Sequence, residues 1–434
     1  MSRVELNELE RMLTNNTVLS ELIKPLSNIL SSTRYTKNYP ILTMPLFFMF
    51  GFLRHLKGTK TSNEYLQELQ HITEHKNYPL ARSTWSDALH SSDRFEVLQD
   101  ILPALVESAK LNLPDRLSGV PGLASRSVYA FDGTYQIESC HFKKKTKKDG
   151  GSHSPKGHCL LPCFDVRLGI PINAYIEISS KHEISILKSQ VLDRRGIFYD
   201  TGALVIADRG LVDCPFWDSV KSSREIEVIT RYKINMVIEE SEKNKIRPLL
   251  QNEGIIADET VKLKASNKVW RLVTYRTPEG QEYRYLTNNF DLEPGVVAFL
   301  YLRRWDEEKC FDTWKNDFSQ LKAWGNSKTA LRNQTFLAVI TSILVAIFVN
   351  KHMSDWGIFD EKSLKKQENR FNDKLLNSRQ PGSDRTTVPW HFLFYKNTSK
   401  ISKQVLRFLK SCFMKKPSEQ LYESQLKPKL LKYF

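Results

Sequence analysis

Paired cysteines are missing from this sequence. Its six cysteines, at 140, 159, 163, 214, 310 and 412, form no Cys-x-x-Cys pair, which excludes thioredoxin-like redox motifs and the common zinc ribbons. Cys140, His141, His153 and "HCLLPC" at 158–163 are zinc-type donors, but their spacing matches no common structural zinc site and much of the stretch alternates like a strand. Reduced thiols in strands and loops are the reading. Long apolar runs are missing as well. "ILTMPLFFMFGFL" (41–53) and "FLAVITSILVAIFV" (336–349) fall short of the roughly 18–20 residues that span a bilayer, so both read as buried helices. The opening "MSRVELNELERMLTNN" lacks the basic start and apolar core of a secretion signal. A cytoplasmic protein without a membrane partner is expected.

Acidic residues are in deficit. Against 64 Lys and Arg stand 49 Asp and Glu, leaving a net charge of +15 and a pI near 9.3 over 434 residues. An excess of this size suits a polyanionic partner. Residues 351–434 hold 18 basic against 8 acidic side chains, so most of the excess lies in the last fifth of the chain. With 41% hydrophobic and 26% charged residues the chain is globular, not disordered.

Periodicity divides the chain into five regions. Residues 1–122 read as helices and are the expected DNA-binding region. Within them "PLARSTWSDALHSS" (79–92) fits either the second helix of a helix-turn-helix, with Ser83 or Thr84 as cap, or an ordinary helical hairpin. From 123 to 232 the pattern is strand, hairpin around Gly169, helix, strand, helix, strand, a mixed α/β layout. Residues 233–290 alternate as an antiparallel β insertion. Helices return over 291–350, and 351–434 is a basic helical region.

Two aspartates carry the chemistry. Asp132 ends the apolar run "VYAF" and Asp208 ends "ALVIA". A carboxylate placed where a central strand runs out is held at the sheet's rim, where ligands and metals bind. Gly133 and Gly210 leave the backbone room to turn and a phosphate room to approach. Further on, Tyr301, Arg304, Glu308 and Lys315 fall within a helical arc of about 60°, beside an apolar seam of Leu300, Phe311 and Phe318. Asp132, Asp208 and Glu308 are hard oxygen ligands of the kind Mg²⁺ or Mn²⁺ takes. Three converging carboxylates repel one another unless cations sit between them. Two such ions could activate water or a 3′-hydroxyl for in-line phosphoryl displacement. Together with the basic charge, this points to DNA.

"FDGT" (131–134), "IADRG" (206–210), "TRYKIN" (230–235) and Tyr-x2-Arg-x3-Glu-x6-Lys (301–315) resemble the bacterial insertion-sequence DDE transposases. The resemblance implies an RNase H-like core interrupted by a β-rich insertion. It implies a catalytic, metal-binding triad of Asp132, Asp208 and Glu308 around two Mg²⁺ or Mn²⁺ ions, and a phosphate grip by Tyr301, Arg304 and Lys315. The implied reaction nicks the element's ends, passes through hairpin ends and joins 3′-hydroxyls to target DNA, in a homodimer that pairs two ends. Arg209, Arg231 and Lys233 are further candidate phosphate contacts, and Trp270 is either a core residue, the preferred reading, or a candidate for stacking on a base. "HFKKKTKK" (141–148) is either a DNA contact or a solvated loop. His182 is assigned no role. Two alternatives stay open: an RNase H-like nuclease that never joins, and a catalytically silent DNA-end-binding protein.

Overall fold

Two short runs in which every side chain is buried, "VYAF" and "LVIA", lie side by side at the centre of one large sheet. In the computed structural model, residues 24–26, 47, 51, 82–137, 157–178, 182–190, 202–277, 280–304, 323–325 and 327–355 are described. In chain order the elements are α1 (Arg82–Leu89), α2 (Ser92–Asn112), β1 (Val128–Phe131), β2 (Thr134–Ile137), β3 (Gly157–Asp165), β4 (Ile170–Ile178), α3 (Glu183–Gln190) and β5 (Leu204–Ala207). There follow α4 (Cys214–Arg224), β6 (Glu227–Arg231), β7 (Ile238–Lys243), β8 (Ile255–Leu263), β9 (Val269–Arg276), β10 (Glu282–Thr287), α5 (Pro294–Arg303) and α6 (Lys328–Asp355).

β1, β5 and β6 run parallel, while β3 joins the other side of β1 antiparallel and carries β4 on its own outer side. The order β4-β3-β1-β5-β6, with two antiparallel strands followed by three parallel ones, is an RNase H-like core. Gly169, at φ +69°, makes the expected turn between β3 and β4. The insertion does not stand apart. β10 pairs antiparallel with β6, Tyr285 opposite Arg231, so β7 to β10 prolong the same sheet to ten strands.

Helices cover both faces, and this explains why the central strands are apolar throughout. On one side Ile186 and Leu187 of α3 and Trp217 and Val220 of α4 pack on Phe131, Val205, Ala207, Val228 and Trp270. On the other side Val296, Val297 and Leu300 of α5 pack on Val128, Ala130, Ile206 and Ile229. α6 packs against α2 and β4. It extends well beyond the apolar run seen in the sequence, and the stretch 328–351 is long and apolar enough to cross a membrane. Its most apolar window is 83% buried inside the fold, as befits a core helix.

The N-terminal hairpin differs from expectation in one detail. α1 starts at Arg82, which places Ser83 and Thr84 in its first turn and not at a cap. Trp85 packs on Phe47 and Trp324, with ring centroids 5.3 and 6.2 Å away. The cap in this region is Ser91, whose side chain accepts from the Arg94 N–H at the start of α2.

Candidate functional site

The β1–β5 register pairs Phe131 with Ala207. Asp132 and Asp208 each follow by one residue, so both leave the sheet at the same rim on neighbouring parallel strands, which run about 4.8 Å apart. Both are half-buried. The backbone alone thus sets the two residues side by side at one rim.

α5 reaches this rim from the opposite face. Its first turn is pinned where Pro294 starts the helix and Gly295 lies against the backbone of Gln251 and Asn252. The Gly295 N–H donates to Asn252 Oδ1 at 3.0 Å, and Asn252 Nδ2 donates to Glu293 Oε2 at 2.8 Å. With that end fixed, the other delivers Tyr301 and Arg304 to the aspartates. Arg304 Nη1 donates to Asp132 Oδ2 at 3.0 Å, with side chains 10% and 19% exposed. Its guanidinium carbon lies 5.7 Å from the Tyr301 ring centroid, and that ring packs on Tyr285 at 4.9 Å. Burial pushes the Tyr301 hydroxyl above its ordinary pKa; Arg304 pulls it back and Asp208 pushes it further. Tyr301 thus stays a protonated donor between a cation and an anion. One N–H of Arg304 is thus engaged with Asp132.

A third carboxylate enters where the sequence reading assigned nothing. Glu183, the residue directly after His182, opens α3 and lays its carboxylate over both glycines that follow the aspartates. A Cβ at Gly133 would overlap Glu183, and one at Gly210 would sit 2.7 Å from Oε2. Neither glycine has a left-handed backbone. In this structure the Glu183 carboxylate occupies the space their missing side chains leave. Burial raises the Glu183 pKa, and the Asp208 charge raises it further. The sequence did carry the signal, an acidic residue opening a helix in the stretch between the two aspartate strands.

The other candidates separate. Arg209 is exposed in the turn after Asp208, and Arg231 and Lys233 lie half-buried at and just beyond the end of β6. The Arg231 guanidinium rests 5.0 Å over the Tyr283 ring. Trp270 is a correction: it is fully buried, and its indole N–H donates to Asp218 Oδ1 and Ser266 Oγ, both at 3.1 Å. A ring without an exposed face cannot stack on a base. Glu308, Lys315, Cys140, His141, His153, the lysines of 141–148 and the basic residues 356–434 lie outside the described residues. Cys159 and Cys163 are buried in β3. Burial, with Glu183 adding to it, pushes the Cys159 thiol up to about 12, so it stays protonated.

Among the described residues, no three His, Cys, Asp or Glu side chains are gathered closely enough to hold a metal. The donors at the rim nonetheless suit a hard divalent cation. Asp132 and Asp208 present adjacent carboxylates, Glu183 adds negative charge, and Arg304 is the cation bound to Asp132.

Residues 124–344 match the family described as Transposase DDE domain, about half of the chain, and every described residue of this rim lies within the match. Over 160 residues the chain is 29% identical to "Putative transposase y4zB" of Sinorhizobium fredii, which covers 35% of this chain and 44% of that protein. The chain therefore matches less than half the length of that relative. A crystal structure of endonuclease V from Bacillus subtilis aligns with 47% of this chain and 82% of its own, at 14% identity and a TM-score of 0.22. Similarity that loose carries no weight for the fold.

Proposed function

Because the chain belongs to the transposase DDE-domain family, we propose that it acts on the DNA ends of its own mobile element, cleaving them and joining the freed 3′-hydroxyls to target DNA. One observation carries this reading: Asp132 and Asp208 stand side by side at one rim of an RNase H-like sheet, inside the matched region. Glu308 completes the acidic triad in this proposal. A pair of Mg²⁺ or Mn²⁺ ions bound there would supply an activated water or 3′-hydroxyl and stabilise the departing oxygen.

The chain's own residues do the rest. Asp132 and Asp208 fix where the attacked phosphorus must sit, since neither strand end can shift without moving the sheet. Arg304 neutralises Asp132 in the absence of DNA and turns to the backbone phosphate when the strand arrives, with Tyr301 orienting it. Lys315, Arg209, Arg231 and Lys233 contact flanking phosphates. Hairpin ends and a homodimer that pairs two element ends belong to the same proposal.

The deciding experiment incubates the full-length protein with Mg²⁺ and duplex DNA carrying the element's own ends, wild type beside Asp208→Ala. Hairpin and excised products from wild type alone support the reading. Equal cleavage by both overturns it. Nicking by wild type without strand transfer to target DNA would reduce the function to a nuclease.

A further inference from the structure

The pairing with β3 continues past the point where β1 stops. Phe131 lies opposite Cys163, and three residues on, Thr134 of β2 lies opposite Leu160, three residues back along β3. β1 and β2 are therefore two pieces of one line, with no residue bulged out between them. Asp132 and Gly133, which belong to neither strand, fall opposite Pro162 and Leu161. The interruption has a chemical cause on the partner strand. The Val166 N–H donates to the Val128 carbonyl at 3.0 Å. Hydrogen-bonded pairs recur at every second residue of an antiparallel ladder, so positions 164 and 162 of β3 also turn their N–H toward β1. Position 162 is the one that should donate to the Asp132 carbonyl, and proline has no N–H to give.

Proline is out of place here by the ordinary rules of sheets. It is confined to edge strands, first residues and bulges. Pro162 is instead buried in the middle of the nine-residue β3, with β1 and β2 on one side and Ala174 of β4 on the other. The irregularity between Cys163 and Phe164 lies in the β4 pairing, which the missing N–H does not face. An N–H at 162 would let β1 run on through Asp132 into β2, holding the aspartate by both bonds of its rung. A residue inside a continuous ladder keeps the ladder's pitch. At a strand end its peptide planes can tilt while the strands on either side stay fixed. Asp132 needs that latitude, because its carboxylate meets Arg304 from α5 at 3.0 Å and must also serve beside Asp208 on the neighbouring strand.

Resting on the DNA-cleaving reading above, we propose that Pro162 is a positioning residue for cleavage. By withholding one N–H it ends β1 at Phe131 and turns Asp132 from a mid-strand residue into a strand end. The Asp132 carboxylate can then be set with Asp208 around the attacked phosphate.

The test uses the full-length protein, duplexes of the element's own terminus and three changes at position 162. Pro162→Val and Pro162→Ala restore the N–H. The α-hydroxy analogue of valine, introduced by nonsense suppression, carries the valine side chain without an N–H. Both substitutions are expected to melt at or above the wild-type temperature and to bind the duplex like wild type when no metal is added. With Mg²⁺ they should nick about tenfold more slowly, as a misplaced reacting group does. Hydrogen exchange should find the new amide at 162 protected, and the hydroxy analogue should nick at the wild-type rate. Wild-type nicking by both substitutions, or an analogue as slow as Pro162→Val, overturns the role of Pro162 and leaves the cleavage reading standing. So does a slowing that tracks a lower melting temperature in both. Wild type that neither binds nor nicks these duplexes overturns the cleavage reading, and the role of Pro162 with it.

Discussion

At the end of the sheet where β6 begins, Glu227 is buried among partners: Lys221 Nζ at 2.8 Å, Arg126 Nη2 at 2.7 Å and Asn289 Nδ2 at 2.5 Å. At the opposite rim of the same strands, Asp132 and Asp208 end neighbouring strands, Glu183 lies over the glycines that follow them, and Arg304 is bound to Asp132. Burial pushes Glu227 upward, but Lys221, Asn289 and Arg126 outweigh it and hold the carboxyl below its ordinary range. Burial and Asp208 push Glu183 the other way. A fold that needs an acid for its own stability surrounds it with its own cations. At the other rim the acids Asp208 and Glu183 instead raise each other's cost of ionisation, as a functional site does more often than a structural one.

Substitutions at the two ends should therefore have opposite signatures. The largest effect is expected from Asp208→Asn, which should cut strand cleavage by about 10²–10³, the range seen when one preorganised electrostatic group is removed. Its denaturation midpoint should equal or exceed that of wild type, because one of two repelling charges is gone. Glu227→Gln should do the reverse. It leaves Arg126 and Lys221 facing a neutral amide and should cost about 3 kcal/mol in urea denaturation, with cleavage by the folded fraction unchanged. A variant of Asp208 that unfolds, or of Glu227 that is as stable as wild type, would erase the distinction.

Gly133→Ala comes next. The new methyl meets the far end of the Glu183 side chain, which can swing aside, so the stability change should stay below about 1 kcal/mol. Gly295→Ala, whose methyl would meet the Gln251 backbone, should by contrast cost about 1–3 kcal/mol, because a main-chain carbonyl cannot give way as a side chain does. Thermal melts of the two variants side by side check both statements.

The smallest effect is a dependence on pH. The stabilisation from Glu227 is present above its unfolded pKa and is lost as pH falls through the lower folded value. Ionised Glu183 instead costs stability at neutral pH, and that cost disappears as pH falls below its unfolded value. Glu183→Gln should thus be more stable than wild type near pH 7, and Glu227→Gln less stable. Both differences should shrink in acid, as urea titrations at the two pH values would record.

Much of this was legible in residue order because the central strands are buried on both faces. "VYAF" and "ALVIA" announce themselves as apolar runs, each closed by its aspartate. The β3–β4 turn was legible because Gly169 needs φ +69°. Other features depend on contacts between distant segments. That the insertion continues the main sheet is decided where Tyr285 meets Arg231, 54 positions apart in the chain. "KVWRLVTYRT" alternates like a half-exposed strand, yet β9 is buried on both faces. Its Arg271 is paired with Asp258 at 2.7 Å inside the fold, and Trp270 is buried beside it. Glu183 is marked locally only as an acid that opens a helix, which does not say what it meets. Its meaning comes from two glycines it lies against, one 50 residues before it and the other 27 after.

α6 has a consequence for how the chain is made. The oily helix that finishes the fold against β4 and α2 is translated after every strand of the sheet. While a ribosome is still reading toward residue 355, the nascent sheet lacks the contacts of this helix with β4, and the apolar surface meant for it can find other sticky surfaces. A newly made molecule therefore passes through a period of vulnerability that ends only when its own late-arriving segment seals it.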